Sequence, residues 1–299
     1  MADPMIMKKR FRCFQTTNPD MITIAITGSS GFVGKNILSL LEKEPFHIIE
    51  LDLQNGFDLT DWNQCAKLSG IDVVVHLAAR SFVPDSFKFP REFYTMNLVS
   101  TINALELARI NKAKFIFFSS YLYGEPQYLP VDENHPIVPH NPYAQSKLAG
   151  EKICEGYYRD FQTPITIFRP FNIFGPGQNS SFLLPTIAEQ IKSGKLVLKD
   201  PRPRRDFIHV LDVAGAVLAA IKTEITGLNV FNLGSGKSHS VEEVVNFLTE
   251  SYNKTVEVIY TNEYRQGEVM DTVADITKVC SLLGWKPAIG LKKGLKTLL

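Results

Sequence analysis

The sequence predicts an α/β protein: a doubly wound parallel sheet joined to a smaller mixed α/β lobe. Two observations carry this. From Met21 to about Phe171, short apolar runs alternate with helical stretches, as βαβ units of a parallel sheet require. The first strand-to-helix junction is the glycine-rich run Thr27-Gly28-Ser29-Ser30-Gly31-Phe32-Val33-Gly34. The expected organisation is an N-terminal extension at 1–20, the sheet domain at 21–171 with 206–232 returning to it, and the second lobe at 172–299.

In chain order, residues 22–26 (Ile-Thr-Ile-Ala-Ile) read as a short buried strand, and 36–41 carry apolar residues at helical spacing. Strand, tight glycine turn and helix are the context of a dinucleotide fingerprint, here spaced Gly-x-x-Gly-x-x-Gly. Gly28 and Gly31 let the backbone approach a pyrophosphate at the helix N-terminus, with Ser30, Phe32 and Val33 completing the loop. Gly34 lets the helix pack closely on the sheet, so the domain is Rossmann-type. The next strand, 47–51, ends at Asp52, where an acid grips the ribose hydroxyls in this fold. A carboxylate there repels a 2′-phosphate and favours NAD over NADP, although Arg80 and Lys35 are cations that would suit a phosphate. A further strand is expected at 72–75, and the last strand of the domain at 165–168.

The long helix candidates are 91–111 and 143–161. Leu98, Ile102, Leu105 and Leu107 fit a mostly buried helix without separating core from interface. The second helix opens with Tyr143-Ala144-Gln145-Ser146-Lys147, placing a phenol and an ammonium one turn apart on one face. A charge roughly 5 Å from a phenol, at an effective dielectric of about 20, favours the phenolate by about 3 kcal/mol. That is on the order of two pKa units, enough to make Tyr143 a base for a sugar or alcohol hydroxyl.

With these residues in hand, the chain resembles the extended short-chain dehydrogenase/reductase family, in its nucleotide-sugar epimerase, dehydratase and reductase branch. The resemblance runs from about Met21 almost to the C-terminus. It implies that His76-Leu77-Ala78-Ala79 lines the cofactor, with His76 itself a packed core histidine, and that Asp58 and Leu59 contact the adenine. Asn97 and Pro170 also fall to the cofactor. Phe118-Ser119-Ser120-Tyr121-Leu122-Tyr123-Gly124 resembles the catalytic-serine segment, giving the serine role to Ser119 with Ser120 as the alternative. The implied catalytic trio is Ser119, Tyr143 and Lys147. Tyr143 moves the proton of the sugar hydroxyl, Ser119 bonds the same oxygen, and Lys147 binds the nicotinamide ribose and lowers the tyrosine pKa.

On the substrate side, the resemblance in Arg169-Pro170-Phe171-Asn172-Ile173-Phe174-Gly175-Pro176 assigns Asn172 to a nucleotide pyrophosphate. Arg205 and Arg265 resemble the arginines that hold the nucleoside diphosphate, with Arg202 and Arg204 as substitutes for Arg205. Ser120, Leu183 and Thr272 complete the implied substrate contacts, Thr272 leaving room at the sugar C2 substituent. Two departures matter. Ser120 and Tyr121 stand where 4,6-dehydratases usually carry an Asp-Glu or Ser-Glu pair, and the lack of an acid there disfavours dehydration. Lys199-Asp200-Pro201-Arg202-Pro203-Arg204 replaces a glycine-rich turn near the nucleobase. Three readings remain: a UDP-hexose-type 4-epimerase working through a 4-keto intermediate, a reductase of a nucleotide-linked 4-keto-6-deoxy sugar, and a catalytically silent NAD-binding regulator.

Composition agrees with a metabolic enzyme. The chain has 299 residues, 44% hydrophobic, with formal net charge +1, which gives no electrostatic attraction to nucleic acid. No apolar run is long enough to cross a membrane. Cys13, Cys65, Cys154 and Cys280 are scattered, so neither a zinc site nor a disulfide framework is expected, and a cytoplasmic location with reduced thiols follows. Residues 1–20 contain Lys8-Lys9-Arg10 without the apolar core of a signal peptide, and are expected to be poorly ordered or an artificial extension. The family resemblance implies a homodimer built on the two long helices.

Overall fold

The computed structural model describes residues 21–252, 256–264 and 268–298. The expectations for 1–20 and for Arg265 fall outside the described residues.

The chain opens with β1 (Thr23–Thr27), α1 (Phe32–Leu41), β2 (His47–Leu51), α2 (Trp62–Cys65) and β3 (Val73–His76). There follow α3 (Val83–Lys88), α4 (Pro90–Asn111), β4 (Lys114–Phe118), α5 (Pro142–Phe161) and β5 (Ile165–Pro170). Among the described residues, β1 to β5 and β9 (Leu228–Leu233) form one parallel sheet, in the order β2-β1-β3-β4-β5-β9. From β1 the chain runs outward to β2 and then back to β3 on the other side. The carboxyl ends of β1 and β3 therefore flank a topological switch point, where such sheets bind ligands.

Strand periodicity builds the core on both faces. Ile24, Ile26, Val73, Val75, Ile116 and Phe118 face one cluster. Ala25, Val74, Phe115, Phe117, Ile165 and Ile167 face the other. Two strands sit one residue later than expected. β3 starts at Val73, and just before it the Asp72 carboxylate accepts from the Thr23 N–H at 2.8 Å. The two long helices instead start one residue earlier, each with proline at the first turn, where a missing N–H costs nothing. In α4, Leu105 and Leu107 are fully buried whereas Ile102 is 40% exposed, so the helix has an inner and an outer apolar face.

The smaller lobe contains β6 (Asn172–Phe174), α6 (Leu183–Ser193), β7 (Lys195–Leu198) and β8 (Arg204–His209). After α7 (Val210–Lys222) and β9 come β10 (Ser238–Ser240), α8 (Val241–Tyr252), β11 (Glu257–Tyr260), α9 (Thr277–Leu283) and α10 (Leu291–Leu295). β10, β8 and β6 make a three-stranded sheet, and β7 pairs with β11. Ser240 caps α8: its Oγ accepts from the Glu243 N–H at 3.0 Å, while Glu243 Oε2 accepts from the Ser240 N–H at 2.7 Å.

The expected return of 206–232 needs one correction. Residues 206–209 belong to β8 in the three-stranded sheet, and the return begins with α7, which packs on α1. β8 alternates, Phe207 entering the lobe core and Ile208 the sheet-domain core, so its apolar pattern serves both sides.

Candidate active site

A single cleft of about 1430 Å³ runs over the carboxyl ends of β1, β3, β4 and β5 and under the lobe. That exceeds the 300–1,000 Å³ usual for one small ligand and suits two nucleotide-sized molecules. Every expected site residue among those described lines it.

Its first wall is the glycine loop. Gly28 has φ +70°, and a Cβ there would meet Ala78 N at 2.8 Å. A Cβ on Gly34 would strike the backbone of Gly28 and Ser29, so helix and loop touch with no room for a side chain. Gly31 caps α1 without a side-chain hydrogen bond, and the first-turn N–H groups that follow, at Phe32, Val33 and Gly34, have no intrahelical acceptor. Asp52 ties the loop to the next strand: Oδ2 accepts from Ser30 N–H at 3.1 Å and Oδ1 from Gln54 N–H at 2.9 Å. Asp58 accepts from the N–H and hydroxyl of Thr60, and Leu59 is buried beside it. A cradle that only glycine fits, with a carboxylate at the second strand end, matches a dinucleotide.

Behind this wall runs a hydrogen-bonded chain. Leu77 and Ala78 N–H groups donate to Thr27 Oγ1, which bonds His76 Nδ1 at 2.8 Å. His76 Nε2 bonds Thr101 Oγ1 at 3.1 Å, and that hydroxyl donates to Asn97 O. Thr101 must therefore accept from His76, which fixes the neutral Nε2–H tautomer. Burial, with the Lys147 charge adding to it, holds the ring well below its ordinary pKa. His76 is a packed core histidine. The Asn97 amide bonds both backbone groups of Arg80 and the Ser146 hydroxyl, holding the Ala79–Arg80 segment at the cleft edge. Arg80 itself pairs with Glu92.

The third wall holds the trio. Asn141 Oδ1 caps α5 by accepting from Ala144 N–H at 2.8 Å, which sets Tyr143 and Lys147 in its first two turns. Ser119 directly follows β4, and its Oγ is buried with no partner among the described residues. Ser120 hydrogen-bonds the Tyr143 phenol. Lys147 is 3% exposed, and its Nζ lies 4.5 Å from the Phe117 ring centre. Burial pulls its pKa down to about 8, opposed by Cys154 and Glu151. Glu151 is held by Arg169 through two bonds of 2.9 and 2.6 Å.

The expected depression of the tyrosine pKa is not found. Burial raises it, and only the Ser120 bond acts downward. Desolvation of the phenolate dominates, and Lys147 is not among the groups that shift it.

On the lobe side, Arg205 alone of the three candidate arginines at 202, 204 and 205 lines the cleft. It donates to Val269 O and Arg204 O and pairs with Glu268. Arg204 is held by Ser238 and Glu243, and Arg202 by Asp200. Asn172 donates to Asp206 O, and the Thr272 hydroxyl accepts from Asp206 N–H at 3.4 Å. Pro170 lies at the end of β5, and Leu183 opens α6, 37% exposed. Sequence reasoning missed Phe82, Val83, Phe171 and Gln178, which also line the cleft. Phe82 and Phe182 meet edge to face at 5.9 Å, joining its two sides. Residues in loops and at a helix start such as these carry no periodicity to announce them.

The NAD dependent epimerase/dehydratase family model matches residues 24–234. The chain belongs to that family. It is accordingly an enzyme of the short-chain dehydrogenase/reductase type, in the branch of nucleotide-sugar epimerases and reductases. Over 299 residues the family member is 36% identical to a putative UDP-glucose 4-epimerase of Methanocaldococcus jannaschii, covering 91% of this chain and 96% of that one. It is 30% identical over 289 residues to the GDP-6-deoxy-D-mannose reductase of Pseudomonas aeruginosa, covering 92% and 95%. Among solved structures it is similar to RMD from Pseudomonas aeruginosa complexed with NADPH, with TM-score 0.85, 30% identity and coverage of 93% and 98%. Among the described residues, no helix is long and apolar enough to cross a membrane.

Proposed function

We propose that this enzyme is an NAD-dependent 4-epimerase of a UDP-hexose-type nucleotide sugar. The observation that carries the reading is the meeting of Tyr143, Ser119, Ser120 and Lys147 in one cleft with a glycine cradle. Bound NAD would accept hydride from the sugar C4 and return it to the opposite face of the 4-keto sugar.

The chain's own residues handle the proton. Tyr143 takes it from the C4 hydroxyl and gives it back. Ser120, already bonded to the phenol, shares it, and the orphaned Ser119 Oγ supplies a hydrogen bond to the same sugar oxygen. Lys147, charged below pH about 8, binds the nicotinamide ribose and favours the phenolate once substrate is in place. Gly28, Ser30, Gly31, Phe32, Val33 and Gly34 hold the pyrophosphate, Asp52 the ribose, and Asp58 with Leu59 the adenine. Leu77, Ala78, Ala79, Asn97 and Pro170 close the cofactor half. Arg205 with Arg265 takes the substrate diphosphate, Asn172 its pyrophosphate oxygens, and Leu183 and Thr272 shape the remaining walls.

NAD is preferred over NADP because the Asp52 carboxylate already spans the ribose position, bonded to both flanking backbones. Dehydration is disfavoured because Tyr121 donates its hydroxyl to Gly124 O and no acid replaces it. Two copies would pair through α4 and α5, where Tyr94, Ile102, Ile110 and Phe161 are large apolar side chains exposed on the outer face. The second reading, reduction of a nucleotide-linked 4-keto-6-deoxy sugar, is favoured by the likeness to the Pseudomonas reductase.

The test is incubation with NAD and UDP-glucose or UDP-N-acetylglucosamine, and separately with NADH or NADPH and a nucleotide-linked 4-keto-6-deoxy sugar, following NAD(P)H absorbance and products. The 4-epimer without net NADH change supports the epimerase. Stoichiometric NAD(P)H oxidation with only the keto-sugar consumed makes it the reductase. Turnover of none of them, with nucleotide sugar left unbound, refutes both.

A further inference from the structure

Gln178 was not assigned any part above, yet it lines the cleft and carries a buried side-chain oxygen without a partner among the described residues. Its backbone is fixed by a turn, Gln178 N–H donating to Gly175 O at 3.3 Å, and the preceding Pro176 O accepts from Asn36 of α1 at 3.5 Å. Its side-chain Nε2 donates to Ile173 O at 2.9 Å. That contact settles the orientation of the amide, since an amide oxygen cannot donate to a carbonyl. Oε1 is therefore the atom left over, and it is buried with no partner among the described residues. A buried acceptor without a donor is costly, and such groups in native proteins call for an occupant.

Phosphate oxygens are acceptors themselves and cannot satisfy Oε1. A sugar or ribose hydroxyl can, and so can an amide N–H. We propose that Gln178 Oε1 accepts a hydrogen bond from a hydroxyl or amide N–H of a ligand bound in this cleft. Gln178 is then a binding residue at the seam between α1 and the lobe, where the two ligands of the proposed function would adjoin. The inference rests on that two-ligand reading.

Calorimetric binding separates the possibilities without relying on turnover. Wild type and Gln178→Leu, with Gln178→Met as a second deletion should the first not fold, are titrated with NAD, ADP-ribose, UDP-glucose and UDP. ADP-ribose lacks the carboxamide, and UDP lacks the hexose. Deletion is expected to weaken at least one of the four by roughly 3- to 10-fold, the loss of one neutral hydrogen bond. A loss for NAD but not ADP-ribose assigns the donor to the carboxamide. A loss for UDP-glucose but not UDP assigns it to a hexose hydroxyl, and a loss shared with UDP or ADP-ribose assigns it to a ribose or base. Unchanged affinity for all four would overturn the inference, leaving Oε1 to water. Failure of wild type to bind either NAD or UDP-glucose would instead overturn the two-ligand reading, and the role of Gln178 with it.

Discussion

The two halves of the cleft are made differently. The cofactor half is backbone: glycines with no room for a Cβ, strand ends, and N–H groups of α1, all resting on two buried clusters. The half proposed for the substrate is side chain: Arg205, Asn172 and Thr272 reach in from separate segments and are held by backbone groups. The first is fixed by what the chain cannot accommodate, the second by polar bonds that can be exchanged for bonds to a ligand. Between them stands Lys147, a buried cation that among the described residues has no close carboxylate partner such as Arg169 has. A paired buried cation holds structure, whereas one held against an aromatic ring remains available for chemistry.

Four substitutions sharpen or break this contrast. Tyr143→Phe should have the largest effect, lowering turnover by roughly 10²–10⁴ with NAD affinity intact; near-normal turnover would remove Tyr143 from the chemistry. Lys147→Met should stabilise the unliganded protein at pH 7. The folded pKa of about 8 lies below the ordinary 10.5, so the unfolded chain binds the proton more tightly. The penalty is full below pH about 8 and fades as pH rises toward 10.5, and its size is about 3 kcal/mol. Denaturant midpoints at pH 7 and pH 10 read this directly; equal midpoints for variant and wild type at pH 7 would mean the ammonium is not desolvated.

Arg205→Leu tests the exchangeable half. Losing charge-assisted bonds should raise KM for the nucleotide sugar by roughly 10- to 150-fold, leaving NAD affinity unaltered. Weakened NAD binding would show that the two halves are not separable. Gly34→Ala tests the backbone half. The added methyl should cost about 1–3 kcal/mol of stability and weaken NAD before it weakens UDP, as thermal shifts with each ligand would report. An unchanged melting temperature would contradict the contact between α1 and its loop.

The same contrast explains what was legible beforehand. Glycine spacing and strand alternation are local rules, and they placed the starts of β1, β2, β3 and β5 to within a residue. β8 misled because Phe207 and Ile208 serve opposite cores, which one apolar run cannot reveal. The tyrosine pKa misled because spacing reports a neighbouring charge but not how much water both groups lose. Arg205 could be told from Arg202 and Arg204 only by seeing which of the three lines the cleft. Gln178 was illegible because its unpaired oxygen is a property of the folded neighbourhood.

Tyr143, Lys147 and Glu151 stand at four-residue intervals along α5, so the helix works like a camshaft, each side chain a lobe set at a fixed angle. One inserted residue turns everything downstream by about 100°. Placed between Lys147 and Glu151, it would swing Glu151 off Arg169 without disturbing the upstream pair. Placed between Tyr143 and Lys147, it would break the timing between phenol and ammonium while every residue type remained present.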